Sequence, residues 1–409
     1  MKKILVIGYV WPEPNSSAAG SHMMSILRLY KQQNWQVEFA TPAQPSDHMI
    51  DLESEGISSK SIELNNDSFD QYISDYQPDL VMFDRFMMEE QFGWRVERNC
   101  PNAVKVLDTE DLQCLRNARH NAHKGERELS QSDLFSDIAK REIAAILRCD
   151  VSLIISSFEM ELLVNTFKVD ASLLHYLPFM VNLDKYPQQT LNFSQREHFM
   201  TIGNFRHAPN WDAVLYLQKI WPLIRKQLPN AELHIYGSYP PPKATALNNP
   251  KTGFLIKGWA QDAYTVMEQS RVCLAPIRFG AGIKGKLLDA MLMQTPSVTT
   301  SIGSEGMIDA EPWPGIITDN MEDFAQAAID LYNNEQQWIT LQEHAKPILS
   351  ARYDANILGE QLIAKIQAVA ENIEQHRLNN FTGSMLKHHT MTSTKYMSQW
   401  IAEKNRNTR

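Results

Sequence analysis

Short apolar runs ending in Asp, Gly or Ser recur along the chain, each followed by a polar loop and then a helical pattern. KKILVIG leads into the Pro- and Ser-rich WPEPNSSAAG and a helix over about 21–33; WQVEFATP, PDLVMFD, AVKVLD and VSLIISS follow. Runs this short and apolar suit strands buried on both faces, and strand–loop–helix repetition suits a parallel sheet covered by helices. The pattern breaks at NLDKYPQQTLNFSQREH. It restarts with HFMTIGNF, then the amphipathic NWDAVLYLQKIWPLIRKQL with Asn210 as the expected N-cap, then AELHIYG, GFLIKGW, RVCLAPI and PSVTTS. A chain of 409 residues exceeds one ordinary core. The expected division is a first domain over 1–182, a linker over 183–198, a second domain over 199–357, and C-terminal helices over 358–409 that cross back and end in a basic tail. The fold class expected is α/β, two parallel-sheet domains facing a cleft, because open parallel sheets bind ligands at the carboxyl ends of their strands.

Composition removes several function classes. The net charge of −9 does not attract nucleic acid or anionic lipid to the surface as a whole. Cys100, Cys114, Cys149 and Cys273 are far apart and form no C-x-x-C pair, so free thiols in a reducing cytoplasm are expected. No apolar run approaches the roughly 20 residues of a membrane span. The first strand lacks G-x-G-x-x-G after it, which argues against a dehydrogenase. The tail from Arg377 to Arg409 is basic; it reads as a solvated helix or as a contact for an anionic acceptor. Its adjacent His388 and His389 have no third ligand at metal spacing, and no metal site is expected.

RFGAGIKGKLLDAM, residues 278–291, follows the strand RVCLAPI and opens a helix. Gly280 and Gly282 let the backbone turn tightly and approach a ligand. A helix N-terminus presents unpaired N–H groups and a partial positive charge. Lys284 and Lys286 add full charges at that end, where cations are unfavourable unless an anion offsets them. A diphosphate is the natural anion. Asp289, about one turn on, is placed to accept from a ribose. Solvated lysines on a helix start are the plain alternative.

The stretch RFGAGIKGKLLDAMLMQTPSVTTSIGSEGM resembles the donor-site segment of family 4 glycosyltransferases of the GT-B fold. IGNFRHAPNWDAVLYLQKIWP resembles the opening of that family's second domain, and KKILVIGYVWPEPNSSAAG its N-terminal strand and loop. The resemblance implies two Rossmann-like domains and retaining transfer of a sugar from a UDP- or GDP-sugar, with no cofactor or metal. It also implies donor contacts from Gly20, Gly203, Gly280, Gly282, Lys286 and Asp289, and Lys284 and Arg206 acting on the diphosphate. Trp259, which follows the strand GFLIKG, is placed either to stack on the base or to pack in the core. The family often carries two glutamates eight positions apart; here the second matches Asp289 and the first falls on Ala281, which has nothing to offer a hydroxyl. Glu305, in IGSEGM, is the expected replacement. Asn204 stands where the family has an arginine, and Arg206 lies two residues on.

The first domain is expected to hold the acceptor. Asp84 and Arg85 end one strand, either lining the cleft or forming a buried structural ion pair, and Asp108, Asp111 and Arg116 follow another. Asp111 takes, by position, the place of a family histidine that contacts the donor sugar. Asp108-x-Glu110 also has the look of a metal site of the other glycosyltransferase fold. The acceptor is open between saccharide, lipid-linked sugar, protein and RNA. The competing functions are a sugar-nucleotide epimerase or hydrolase in the same cleft, and a non-catalytic nucleotide-sugar binder.

Overall fold

The computed structural model describes residues 2–406 apart from 186, 188 and 189, and the side chains of all these except 185 and 389–392. The first sheet contains β1 (Lys3–Ile7), β2 (Gln36–Thr41), β3 (Ser58–Ser61), β4 (Leu80–Asp84), β5 (Val104–Asp108), β6 (Val151–Ile154) and β7 (Leu174–Tyr176), in the order β3-β2-β1-β4-β5-β6-β7. The second contains β8 (Glu197–Ile202), β9 (Leu233–Tyr236), β10 (Phe254–Gly258), β11 (Ser270–Ala275), β12 (Ser297–Thr299) and β13 (Gly315–Ile317), in the order β10-β9-β8-β11-β12-β13. Every pairing within them is parallel. Each order reverses beside its first strand, where a doubly wound sheet opens a crevice at its carboxyl edge. The central strands β4, β5 and β6 are buried throughout, their polar Asp84, Lys105, Asp108 and Ser152 included.

Helices cover both faces of each sheet. One face of the first sheet packs on the helix Ala18–Gln32 and on Leu358, Leu362 and Ile366 of the helix Ala355–Glu371, which returns from the end of the second domain. The other packs on helices that include Phe86–Asn99, Gln113–Lys124 and Asp137–Arg148. The outgoing and returning chains lie side by side: the Val181 amide donates to Tyr353 O at 2.7 Å, and the Ala355 amide to Val181 O at 2.9 Å. The terminal helix Phe381–Arg406 lies on helices Phe86–Asn99 and Asp137–Arg148. There Lys387 pairs with Glu97, and Arg406 with Asp67. His388 is exposed, and the side chain of His389 is outside the described residues. No described helix is long and apolar enough to cross a membrane.

Two local expectations fail. Asn210 is not an N-cap: the helix is Ala208–Gln227, capped by His207, because Pro209 fits the first turn, where a missing N–H costs nothing. The side chain of Asn210 instead accepts from Lys286. Strands β3, β7 and β13 go unread in the sequence; all lie at or next to sheet edges and are three or four residues long, too short to display a period.

Candidate donor and acceptor site

The carboxyl edges of the two sheets meet along one seam. On the second domain's side, β11 runs into the turn at 276–284 and then the helix Gly285–Leu292. Gly282 has φ of +63°, and a Cβ there would lie 2.9 Å from the Asp111 Cβ of the first domain. Both the backbone and the close approach therefore demand glycine. Lys284 is the N-cap position and Lys286 the second helical residue. Lys284 Nζ donates to Gly282 O at 2.8 Å, and Lys286 Nζ to Asn210 Oδ1 at 2.8 Å. Burial pulls both ammonium groups down to about 8. An adjacent anion would favour the protonated form of both.

Asp289 is half-buried, and burial pushes its carboxyl up to about 7. Its charge is the main cause that raises the nearby Tyr264 hydroxyl. Glu305 is held from the first domain: Arg119 grips it with two bonds of 2.7 and 2.8 Å and donates to Gly280 O at 2.9 Å. Arg119, absent from the sequence reading, thus clamps the donor turn and the predicted sugar-binding glutamate together.

Trp259 lies at the mouth of the seam, 42 % exposed, with its Nε1 donating to Asn15 O at 3.1 Å. Its ring stacks on His48 at 4.7 Å, and His48 meets Tyr239 edge-on at 5.2 Å. Arg206 lies over the Tyr239 ring at 3.6 Å, while the Tyr239 hydroxyl donates to Glu13 at 2.9 Å. The structure therefore places Arg206 with this aromatic group and gives it no contact with Lys284. Gly203 packs against the Asn210 side chain. Gly20 packs against the backbone of Glu13, so its lack of a side chain serves its own loop.

The first domain's rim is acidic and buried. Asp84 accepts from the Tyr9 amide at 2.9 Å and faces Arg85 at 3.7 Å. Asp108 accepts from the Glu110 amide at 3.1 Å, and His22 Nε2 lies 3.8 Å from it. Burial pushes the Asp108 carboxyl up to about 7, with Asp84 adding to it, and burial with Asp108 pushes Glu110 up to about 8. Neighbouring carboxylates in low dielectric do not ionise together. Burial works the same way on Asp111, but Arg116, bonded to both its oxygens, carries its pKa below the ordinary value. The helix Gln113–Lys124, which carries Arg116 and Arg119, has no capping side chain at Leu112. Two buried glutamates from other helices replace it: Glu159 accepts from Leu112 N at 3.0 Å, and Glu142 from Gln113 N and Cys114 N, each at 2.9 Å.

Outside the donor turn, a cavity of about 860 Å³ opens between this helix and the helix Ala208–Gln227, with His120, His123, Trp211, Arg278 and Phe279 in its walls. Among the described residues, the side chains grouped closely enough for a metal ion are His198, Glu232 and His234. They lie at the amino ends of β8 and β9, the opposite edge from the donor turn, and His234 Nε2 is already 2.7 Å from Glu232 Oε2.

A model of the family described as glycosyl transferases group 1 matches residues 196–334. Among curated proteins none matches the chain. Among solved structures, a variant of TarM from S. aureus, crystallised with fondaparinux, alpha-GlcNAc-glycerol and UDP, is similar at a TM-score of 0.67 and 12% identity, over 90% of this chain and 100% of that one. HepE from Anabaena, in complex with UDP and glucose, is similar at 0.67 and 12%, with the same coverage. Sucrose-phosphate synthase from Thermosynechococcus elongatus is similar at 0.66 and 15%, over 90% and 99%. The architecture is that of the GT-B fold, and the resemblance to GT-B glycosyltransferases holds along nearly the whole chain.

Proposed function

We propose that this GT-B chain transfers a sugar from a nucleoside diphosphate donor, UDP- or GDP-linked, to an acceptor held by its first domain. The observation that carries the reading is the donor turn: two glycines, a helix N-terminus, the buried Lys284 and the half-buried Lys286, all within the segment that matches the group 1 glycosyltransferases. Support also comes from the UDP bound in similar structures.

In this reading the diphosphate sits on the N–H groups of Gly285–Leu292, and Lys284 and Lys286 meet the charge that grows as the bond to the sugar breaks. Trp259, with His48 and Tyr239 beside it, offers flat faces to the base. Asp289 and Tyr264 face the ribose. The hexose lies beside the turn at 280–284, near Glu305 and Arg119. The acceptor approaches over Asp84, Asp108, Glu110 and Asp111, and the cavity beside Trp211 and Phe279 receives its far end. A saccharide suits these walls, which combine aromatic faces with hydrogen-bonding side chains. Transfer with retention and without metal follows the resemblance: fixed cations do the work that a metal does in other transferases.

The test is turnover of a panel of UDP- and GDP-sugars with and without an acceptor extract. Transferred sugar only when acceptor is present supports the reading. Equal release of free sugar with and without acceptor assigns a hydrolase, and binding without turnover assigns a non-catalytic binder.

A further inference from the structure

Ala281 stands where the resembled family has its first glutamate, and the nearest carboxyl group to reach this turn comes from the other domain. Glu159, third residue of the helix Ser157–Asn165, is 0 % exposed. Its Oε1 accepts from the amide of Gly282, the residue after Ala281, at 2.8 Å, and from the amide of Leu112 at 3.0 Å. Its Oε2 is buried and has no hydrogen-bond partner among the described residues. Buried polar atoms are nearly always paired, and one that is not calls for a reason.

Helix capping alone does not supply that reason. One oxygen serves Leu112, and Glu142 already holds the next two amides. A glutamine would accept the same bonds without an ionisable group in a buried place. Burial, with Asp111 nearby, pushes the Glu159 carboxyl up to about 8. A carboxyl group in that state offers an O–H as well as a carbonyl oxygen, which suits a hydroxyl that both donates and accepts. Around it stand Lys284, Asp111 and the Arg119–Glu305 pair, whose charges act on the same turn.

We propose that Glu159 holds a hydroxyl of the donor's hexose, supplying across the domain seam the carboxyl group that residue 281 lacks. The proposal rests on the nucleotide-sugar reading above. Because Glu159 belongs to the first domain and the donor turn to the second, the hexose subsite is complete only when the domains are closed. A nucleoside diphosphate without sugar has no hydroxyl for Glu159 to hold.

The experiment is calorimetric titration of wild type, Glu159→Gln and Glu159→Ala with UDP, UDP-glucose, GDP and GDP-mannose, each variant checked by thermal denaturation. For the pair that wild type binds, Glu159→Ala should weaken the sugar nucleotide about ten- to a hundredfold, the loss of one buried hydrogen bond to an ionisable group. The diphosphate should stay within about twofold. Glu159→Gln, which keeps an acceptor for both amides, should fall between and decides the matter if the alanine variant does not fold. A folded variant that binds both ligands as wild type does overturns the proposal and leaves Glu159 a helix cap. Wild type that binds none of the four overturns the nucleotide-sugar reading itself, a result visible before any variant is compared.

Discussion

The two rims of the seam carry opposite chemistry on similar scaffolds. Both are loops at the carboxyl edge of a parallel sheet. The second domain's rim presents glycines, helix N–H groups and lysines whose pKa values burial lowers; the first domain's rim presents carboxyl groups whose pKa values burial raises. Each set is held at a protonation cost in the free protein, and burial is the common cause. On the proposed reading the two rims suit different ligands. A phosphate pairs with lysines but would be repelled by carboxylates. A polyol exchanges hydrogen bonds with neutral carboxyl groups and needs no counter-charge.

The largest effect should come from removing the cations. Lys284→Ala or Lys286→Ala should lower kcat about a hundredfold, roughly 3 kcal/mol, because each meets charge that develops on the leaving group. Lys284, the more deeply buried and next to the glycine turn, should give the larger loss. Steady-state kinetics on folded variants checks this; full activity in both would make the two rims equivalent. On the other rim, Asp108→Asn should raise the acceptor KM about tenfold and leave UDP or GDP affinity unchanged. A change in diphosphate affinity instead would break the division between the rims.

A smaller effect appears in stability, chiefly from the first domain's acids. Asp108, Glu110, Glu142, Glu159 and Asp289 have pKa values raised to about 7 or 8 from ordinary carboxyl values. Between pH 7.5 and 6.5 the folded chain therefore binds protons that the unfolded chain does not, and stability rises as pH falls. Lys284 and Lys286 oppose this near pH 8, and His22, His120, His175, His207 and His234, whose pKa values burial lowers, oppose it towards pH 6.5 and below. The thermal midpoint should thus be higher at pH 6.5 than at pH 7.5. Replacing Glu110 and Glu159 with glutamine should flatten the difference, and a midpoint that falls on acidification in this window would contradict the account.

The second domain's rim was legible in the sequence because its function is local: RFGAGIKGKLLDAM carries the turn, the helix start and the charges in fourteen consecutive residues. The first domain's rim was legible only as strand ends. Asp84, Asp108 and Asp111 close recognisable apolar runs, but Glu142, Glu159 and Arg119 sit inside helices, where an acid or an arginine reads as a solvent-facing residue. Their meaning comes from tertiary placement: Glu159 is 123 residues from Gly282, and Arg119 is 186 from Glu305. The His48–Trp259 stack likewise joins loops of different domains. Arg206, two residues beyond the family's arginine position, lies over the Tyr239 ring.

The central claim is that the second domain's rim is the diphosphate site. Titrating UDP and GDP into wild type and into a Lys284→Ala/Lys286→Ala double variant tests it without any knowledge of acceptor or sugar. The account predicts that wild type binds one of the two, and that the folded double variant loses at least about a hundredfold in affinity, as two buried cations facing one anion require. A double variant that binds the same diphosphate as tightly as wild type would contradict it and leave the lysines as buried helix-start residues with no anion to meet.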